Sequence, residues 1–426
     1  MKKKRLKLKR ELGLWQTTLI GVGVIVGAGI YALVGKAAGI AGNAVWISFL
    51  LSALVAMFTG LSYAELSSMY PKDSAEYLYC KKPLGKMIAY VVAFLILIGT
   101  IMAASAVALG FGGYLAKLIP TNVILLAAIG LIVFGFIAFW KIEYSSNLTI
   151  IFSVVSIIGL LIIVGIGTKY FGSVDYFAMP NAWPGVFSAA ALIFFAFLGF
   201  EDLVKLTEET KQPKKTIPKA LILSIIISAV LYVLVSISAV SVLGYKKLGL
   251  SDAPLADVAN VAFGANTSLL MIIIALCATA STLLMLLIAA SRTVYGFANE
   301  KLLPPVCGKV HKKNKTPHIA IFSVTLIGVL VVILLGQIKF VANLTNFLVF
   351  VTFIFINLAV IILRYTDPKK KRVCKIPVCL GKFPIIPLLG ILFCGFMIIN
   401  LPITEVLYGC VVVVVGFVVY FVFGRE

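Results

Sequence analysis

Charged residues, and acidic residues above all, are scarce in this chain of 426 residues. Asp, Glu, Lys and Arg together make up 12% of it, whereas hydrophobic residues make up 62%. Soluble globular proteins have about 25% charged and about 45–50% apolar residues, and so little polar surface cannot cover a water-soluble body of this size. The same numbers exclude intrinsic disorder. We therefore expect the chain to be solvated by a lipid bilayer.

The residues that build metal and catalytic centres are also scarce. The two histidines, His311 and His318, lie in one loop, and the seven cysteines include no Cys-x-x-Cys pair. We therefore expect no metal site and no resident cofactor. An enzyme is not expected, because no nucleophile–base pair or metal cluster occurs at membrane depth. The apolar runs also lack the polar stripe or filter loop of a channel.

Long apolar runs are what the sequence has in abundance. Twelve runs reach the length of about 17 residues that a membrane-spanning helix needs. They fall at roughly 14–35, 44–67, 86–116, 121–140, 147–168, 186–204, 218–243, 267–290, 318–336, 341–363, 384–400 and 405–423. All are predicted to be helices, because they are continuous and lack the period of two that marks barrel strands. We predict an all-α polytopic membrane protein with one transmembrane domain over residues 1–426.

The basic residues are distributed unevenly between the loops. A total of 37 Lys and Arg against 16 Asp and Glu would suggest nucleic acid in a soluble protein, but in a membrane protein its placement sets the orientation. With the N-terminus inside, the outside loops hold six basic residues, namely Lys36, Lys117, Lys169, Lys246, Lys247 and Lys339, and the other 31 lie inside. This predicts a cell-membrane protein with both termini cytoplasmic and no nucleic-acid partner. The basic loop 364–382 is interpreted as an orientation signal attracted to anionic lipid headgroups.

Two of the twelve runs contain residues that weaken a helix. The first has four glycines between Gly21 and Gly29, and the sixth has Gly199 followed by Glu201 and Asp202. Glycine in a helix interior costs about 1 kcal/mol relative to alanine. An unwound stretch at membrane depth is tolerated only where its free backbone groups line a cavity. The glycines therefore predict two interrupted helices beside a binding site.

The spacing of these two runs supports a transporter. They lie five spans apart and so run antiparallel, as two inverted five-helix repeats require. Matching interrupted spans in two halves of a chain indicate a substrate site near the midplane of the membrane. The alternative is that the glycines only allow close helix packing, since Gly23 and Gly27 are four residues apart.

Five motifs follow one another along nearly the whole chain. They are Gly23–Tyr31, Tyr63–Pro71 continuing to Glu76–Tyr79, Glu208–Ala220, Ser291–Ala298 with Leu302–Pro304, and the basic loop 364–377 with its Pro377 followed by Pro384 and Pro387. Through them the chain resembles the amino acid–polyamine–organocation superfamily of transporters. It departs from the family at Ser74 and Ala75, where two glycines are usual.

The resemblance implies a LeuT-like fold with unwound helices 1 and 6. Two inverted repeats, about 14–168 and about 186–363, would form a ten-helix core, and two peripheral helices would occupy about 384–423. The implied function is secondary active transport of amino acids by alternating access, with neutral substrates and cation coupling or exchange. The alternatives are a polyamine or cationic amino acid transporter, and a non-transporting nutrient sensor. No obligatory protein partner is expected.

The resemblance also assigns substrate-binding residues. The substrate carboxylate would meet the backbone of Ile25, Ala28 and Gly29 in the first break. The substrate amine would meet the carbonyl groups of the second break, at Phe195, Ala196 and Leu198. Phe195 corresponds to an aromatic gate in relatives. Further candidates for the walls of the pocket are Thr100 and Leu286.

Coupling residues are assigned in the same way. Glu201 matches a family carboxylate and is a candidate for gating or proton coupling. Several relatives have a lysine in the fifth span, where this chain is aligned with Ser156. With the carbonyl groups of Gly23 and Val26 and the hydroxyl groups of Ser281 and Thr282, Ser156 would form an oxygen shell that suits a sodium ion. Alternatively, these hydroxyl groups simply bond to their own helix backbone. Sodium and proton coupling both remain open.

Overall fold

The computed structural model describes residues 12–70, 75–140, 142–206, 210–299, 302–311, 314 and 316–423. Fourteen α-helices account for most of this part of the chain. They are α1 (Leu14–Ile25), α2 (Ala28–Ala41), α3 (Val45–Met69), α4 (Ala75–Ala116), α5 (Val123–Phe139), α6 (Ile142–Gly167), α7 (Ala182–Ile193), α8 (Pro213–Leu250), α9 (Pro254–Phe263), α10 (Ala265–Asn299), α11 (His318–Leu335), α12 (Ile338–Thr366), α13 (Ile385–Ile399) and α14 (Ile403–Phe423). Of the motif residues quoted above, Pro71, Ser74, Glu208 and Glu209 lie outside the described residues.

The architecture is that of an all-α polytopic membrane protein. Among the described residues, nine helical stretches are long and apolar enough to cross a membrane, and α1, α5 and α13 are shorter apolar helices. Each of the twelve predicted runs coincides with one helix or with two or three consecutive helical segments. Helices satisfy every backbone hydrogen bond within one segment, which is what an apolar surrounding requires.

The helices are packed around α3, α4, α8 and α12. Helix α4 packs against α12 and α10, and α3 packs against α8. Many side chains of α5, α11 and α14 are exposed although they are apolar, for example Leu326 and Val411. Such residues are expected on a surface that faces lipid rather than water.

Two local features were not predicted. Helix α9 lies between the seventh and eighth predicted runs. A small antiparallel hairpin follows α12, with strand β1 (Cys379–Leu380) paired to β2 (Phe383–Pro384) in the register Cys379 opposite Pro384. The turn between the strands includes Gly381, whose φ is +61°. This hairpin lies at the end of the basic loop, which the sequence predicted to be an orientation signal attracted to anionic headgroups and not a folded element.

Candidate functional site

The first helix break lies between α1 and α2. Helix α1 ends at Ile25, Val26 and Gly27 leave the helical conformation, and α2 begins at Ala28. Gly27 allows a close approach to α10, because a Cβ atom there would lie 2.0 Å from the hydroxyl oxygen of Thr282. The interruption is shorter than the glycine-rich stretch from Gly21 onwards, because the earlier glycines remain helical.

The second break follows α7. After Ile193 the chain forms a 3₁₀ turn over Phe194–Phe197, becomes extended at Leu198, and continues as a second 3₁₀ segment over Phe200–Leu206. Gly199 has φ of +105°, a conformation that side chains other than glycine rarely adopt. The glycine before the two carboxylates is therefore where the direction of the span changes.

The two breaks are in direct contact. A Cβ atom on Gly29 would lie 2.4 Å from the Cα atom of Ala196, and one on Gly199 would lie 2.7 Å from a side-chain carbon of Val24. Both breaks are buried. Small residues on each side therefore let the backbone of the first broken span touch that of the second.

A cavity of about 60 Å³ lies at this contact. Eleven of the fourteen candidate residues line it: Gly23, Ile25, Ala28, Gly29, Thr100, Phe195, Leu198, Glu201, Ser281, Thr282 and Leu286. The rest of its wall is largely apolar and includes Ile96, Ala103, Val107, Met285 and Val349. The structure thus brings residues from several separate parts of the sequence to one buried pocket.

Three candidate residues do not line the cavity: Val26, Ser156 and Ala196. The Ser156 hydroxyl donates to the carbonyl oxygen of Phe152 at 2.7 Å, within its own helix. Ser153, one helical turn earlier, is the serine that lies beside the first break, since its hydroxyl donates to the Gly23 carbonyl oxygen at 3.4 Å. Residues three apart share one side of a helix, so the sequence alignment did not distinguish these two serines.

The α10 hydroxyl groups bond to their own helix, as the alternative interpretation expected. Ser281 and Thr282 each donate to the carbonyl oxygen of Ala278 at 2.9 Å. Thr282 also accepts a hydrogen bond of 3.3 Å from the backbone N–H of Ala28, the first residue of α2. Thr282 therefore connects α10 to the start of α2, which carries the positive end of that helix dipole.

Glu201 and Asp202 both line the cavity, and Glu201 is buried. The Oε2 atom of Glu201 accepts a hydrogen bond of 3.0 Å from the backbone N–H of Gly199. One carboxylate oxygen of Glu201 therefore supports the turn at the second break. This places the carboxyl group of Glu201 next to the cavity that the broken spans enclose.

Tyr232 connects the two breaks and was not predicted. Its hydroxyl group lies 2.7 Å from the carbonyl oxygen of Ile25 and 2.9 Å from that of Ala196. Both carbonyl groups lie at helix interruptions, where no helical N–H follows to pair with them. The Ala196 carbonyl is the expected contact for the substrate amine; it accepts from Tyr232 here and keeps a second lone pair, so its role stays a prediction.

Asn346 of α12 supports the second break from another side. Its side-chain nitrogen donates to the carbonyl oxygens of Ala191 and Leu192, at 2.7 and 2.9 Å. These carbonyl groups belong to the last turn of α7, just before the break. Asn346 is fully buried, so its amide replaces helical hydrogen bonds that the interruption removes.

A buried ion-pair cluster lies at the end of α3. Glu65 accepts from Nε of Arg364 at 2.8 Å and from Nε of Arg372 at 3.0 Å, and the side chains of all three residues are almost completely buried. Beside the cluster, the Lys82 ammonium group donates to Asp367 at 2.6 Å. That hydrogen bond holds the pKa of the Asp367 carboxyl below its ordinary value. The sequence motif contained Glu65 but did not show its partners.

Comparison with known proteins gives the class of this chain. A family model described as amino acid permease matches residues 12–422, so the chain belongs to the amino acid permease family, within the superfamily that its motifs resemble. It is therefore a multi-pass membrane transporter of amino acids, and not an enzyme.

Individual relatives cover almost the whole chain. The chain is 32% identical to the branched-chain amino acid permease BcaP of Bacillus subtilis, over 98% of this chain and 94% of that protein. It is 29% identical to the methylthioribose transporter of the same organism, with the same coverage. Similarity to the mouse cationic amino acid transporter 4 is 26% identity over 84% of this chain and 60% of that protein.

Proposed function

We propose that this permease is a secondary active transporter of neutral amino acids that works by alternating access. The observation that carries the proposal is the contact of two broken helices around one buried, largely apolar cavity. In the proposed topology α1 with α2 forms span 1, and α7 with the two 3₁₀ segments forms span 6. Ten spans form two inverted repeats, α13 and α14 are peripheral, and both termini lie on the cytoplasmic side of the cell membrane, where the basic loops are concentrated.

The ends of the broken helices suit the two charges of an amino acid. The first residues of α2, Ala28 and Gly29, line the cavity, and the N-terminal end of a helix favours an anion such as a carboxylate. The carbonyl groups of Phe195 and Leu198 at the second break are candidates for the substrate ammonium group. The opposite polarity of the two breaks supports recognition of a zwitterion.

The side chain of the substrate is proposed to be apolar and branched. The cavity wall beyond the breaks consists mainly of aliphatic side chains such as Ile96, Val107 and Leu286, and an apolar pocket gains free energy by removing an apolar side chain from water. The relative BcaP is a branched-chain amino acid permease by name, which agrees with this choice.

A second candidate function is transport of a cationic amino acid or a polyamine. Its support is that Glu201 and Asp202 line the cavity and that one relative is named a cationic amino acid transporter. Against it, Glu201 uses one carboxylate oxygen to hold the N–H of Gly199. We therefore place neutral substrates first.

Direct binding and uptake measurements distinguish these candidates. The purified protein would be screened by thermal shift and then reconstituted for uptake of radiolabelled leucine, isoleucine, valine, arginine and putrescine. The proposal expects stabilisation by the branched-chain amino acids and saturable uptake of them, because a ligand stabilises the state that binds it. Uptake of arginine or putrescine alone would support the second candidate, and binding of none of the five would refute both.

The charge at Glu201 can be tested with a matched variant. Glu201→Gln keeps an oxygen that can accept from Gly199 but removes the charge, and Asp202→Asn makes the same change one residue further along. If Glu201 takes part in gating or proton coupling, only the first variant should change the transport rate and its pH dependence. Unchanged rate and pH profile in Glu201→Gln would discard that role.

The coupling ion is proposed to be sodium or a proton. Gly23, Ser281 and Thr282 line the cavity, and Ser153 replaces Ser156 as the α6 hydroxyl beside Gly23. Uptake into proteoliposomes with and without a sodium gradient, at matched pH, tests the first ion, and a pH gradient without sodium tests the second. A sodium mechanism expects Ser153→Ala to weaken sodium dependence more than Ser156→Ala does.

A further inference from the structure

The connection between α12 and α13, residues 367–384, is folded around one arginine. Nε of Arg372 donates to Glu65. Its two terminal nitrogens donate to four backbone carbonyl groups, those of Leu363, Asp367, Pro368 and Lys370, at 2.8 to 3.3 Å. All five donors of this guanidinium group are therefore used inside the protein.

The same connection is fastened to the ends of α3 and α4. The backbone N–H of Ile376 donates to Glu65 at 2.9 Å. The ammonium group of Lys370 lies 3.2 Å from the centre of the Tyr70 ring, a cation–π contact. On the α4 side, Lys82 pairs with Asp367. A segment tied at several points holds its surface side chains in a fixed arrangement.

The remaining basic residues of the connection face outward. They are exposed, and none of them forms an ion pair with any residue in the described ranges; they are Lys369, Lys371, Lys375 and Lys382. Two carboxylates of this region, Glu65 and Asp367, are already engaged with Arg364, Arg372 and Lys82. The surface therefore presents four lysines that these carboxylates do not compensate.

Exposed apolar side chains lie among these lysines. Leu380, in β1, is 72% exposed, and Val378, directly before β1, is 62% exposed. Val378 also has φ of +60°, which is unusual for a β-branched residue. The hairpin lies where α12 ends and α13 begins, and both helices are apolar, so these side chains lie at the boundary of the bilayer.

We propose that the α12–α13 connection is a binding surface for anionic phospholipids of the leaflet in which these two helices end. The four lysines would contact the lipid phosphates, and Leu380 would enter the boundary between headgroups and acyl chains. A soluble polyanion would satisfy the lysines but leave Leu380 and Val378 in water, which favours the membrane surface. Because hydrogen bonds to Glu65 hold the connection in place, its lysines are pre-organised and little conformational entropy is lost when lipid binds.

A tryptophan in place of Leu380 reports contact with lipid, and this measurement does not depend on transport activity. The variant Leu380→Trp would be reconstituted in vesicles of zwitterionic and anionic phospholipid in which one lipid or the other carries brominated chains. Quenching by the brominated lipid reports its presence at the side chain. The signal of the four native tryptophans is subtracted by measuring the unsubstituted protein in the same vesicles.

The proposal expects the tryptophan introduced by Leu380→Trp to be surrounded by anionic lipid in well over five-fold preference to zwitterionic lipid, because each lysine near an anionic surface contributes about five-fold. Replacing Lys371, Lys375 and Lys382 by glutamine should reduce this preference to about five-fold or less, since only Lys369 remains. The matched control replaces three exposed lysines at the start of α8, Lys214, Lys215 and Lys219, and should leave the preference unchanged.

Four outcomes would overturn the proposal. The introduced tryptophan could be unquenched by either lipid, which would remove Leu380 from the bilayer. Equal quenching by both lipids, or an equal loss of preference in both triple variants, would show that the surface has no selectivity of its own. Abolition of the preference by inorganic phosphate at constant ionic strength would assign the lysines to a soluble anion.

Discussion

Tyr232 offers the sharpest test of how the two broken helices are held together. Its hydroxyl group is the shared partner of two buried carbonyl groups, one on each broken span. Tyr232→Phe removes only the oxygen and keeps the ring, which packs edge-on against Phe197 at 5.2 Å and tilted against Phe49 at 5.7 Å. The variant therefore isolates the hydrogen bonds from the packing.

The expected magnitude follows from the number of groups left unpaired. A buried polar group that loses its partner costs about 1–3 kcal/mol, so two carbonyl groups sharing one donor cost about 2 kcal/mol together. If the hydroxyl holds the breaks in the arrangement that binds substrate, this cost lowers the population of that arrangement and raises the apparent Kd accordingly. An increase in KM of about ten- to thirty-fold is expected.

Uptake kinetics in proteoliposomes measure this effect, with Tyr114→Phe as the control. The Tyr114 hydroxyl is also buried and donates to a backbone carbonyl, that of Tyr31 at 2.8 Å, but this carbonyl lies within helix α2 and not at either break. Both variants should melt at a lower temperature, and only Tyr232→Phe should raise KM. An unchanged KM in Tyr232→Phe, or an equal rise in the control, would refute the reasoning.

Three further predictions concern single residues around the site. Gly29→Ala should abolish uptake, because the added Cβ meets the backbone of the second break, whereas Gly165→Ala in α6 meets nothing within 4 Å and should retain it. Glu65→Gln should destabilise the protein by about 3–5 kcal/mol, since two buried arginines lose their carboxylate, and thermal melting in detergent measures the loss. Asn346→Leu, which removes the donor to the end of α7 at nearly constant size, should raise KM with little change in expression, and size-exclusion chromatography checks the fold.

The breaks could be predicted from sequence because glycine has a local effect. Gly199 adopts positive φ and Gly27 lies at the interruption itself, so composition within a short window was sufficient. The extent of each break was less predictable. Gly21 and Gly23 remain helical because they serve close packing, against Ser224 and Ser153 respectively. Both interpretations of the first glycine cluster therefore apply within the same span: packing at Gly21 and Gly23, and both unwinding and packing at Gly27.

The supporting residues could not be predicted, because their partners are distant in the sequence. Tyr232 is separated from Ile25 by 207 positions, and Asn346 from Ala191 by 155. Each occurs in an apolar run whose uniform composition does not indicate which face is buried. The position of Ser153 rather than Ser156 beside Gly23 has a cause of the same kind. Which serine meets Gly23 depends on the axial position of α6, and hydrophobicity alone does not determine that.

The number of basic residues in the basic loop predicts orientation, whereas the structure shows which of these residues are buried and which are exposed. The net charge of this loop predicted an orientation and an attraction to anionic lipid headgroups, yet the structure divides its cations by the geometry of their donors. The planar guanidinium groups of Arg364 and Arg372 are buried where several oxygens converge, because they can satisfy them at fixed angles. The lysines outside this core have compact, strongly hydrated ammonium groups that lose more by burial.

Under the proposed sodium coupling, the arrangement at Thr282 would link substrate recognition with ion binding. Its hydroxyl donates to Ala278 and accepts from the N–H of Ala28, so a hydroxyl oxygen with two lone pairs has one acceptor position left. A sodium ion at that oxygen would compete with or polarise the hydrogen bond from the Ala28 N–H. Ala28 is the first residue of α2, and the positive end of α2 is proposed to meet the substrate carboxylate. Ion occupancy would thereby change the environment of the substrate anion through one shared oxygen. A proton-coupled mechanism centred on Glu201 would instead act through the turn at Gly199. The two proposed coupling ions would therefore act at different breaks. Sodium would act at the first break through α2, and a proton on Glu201 would act at the second break, which follows α7.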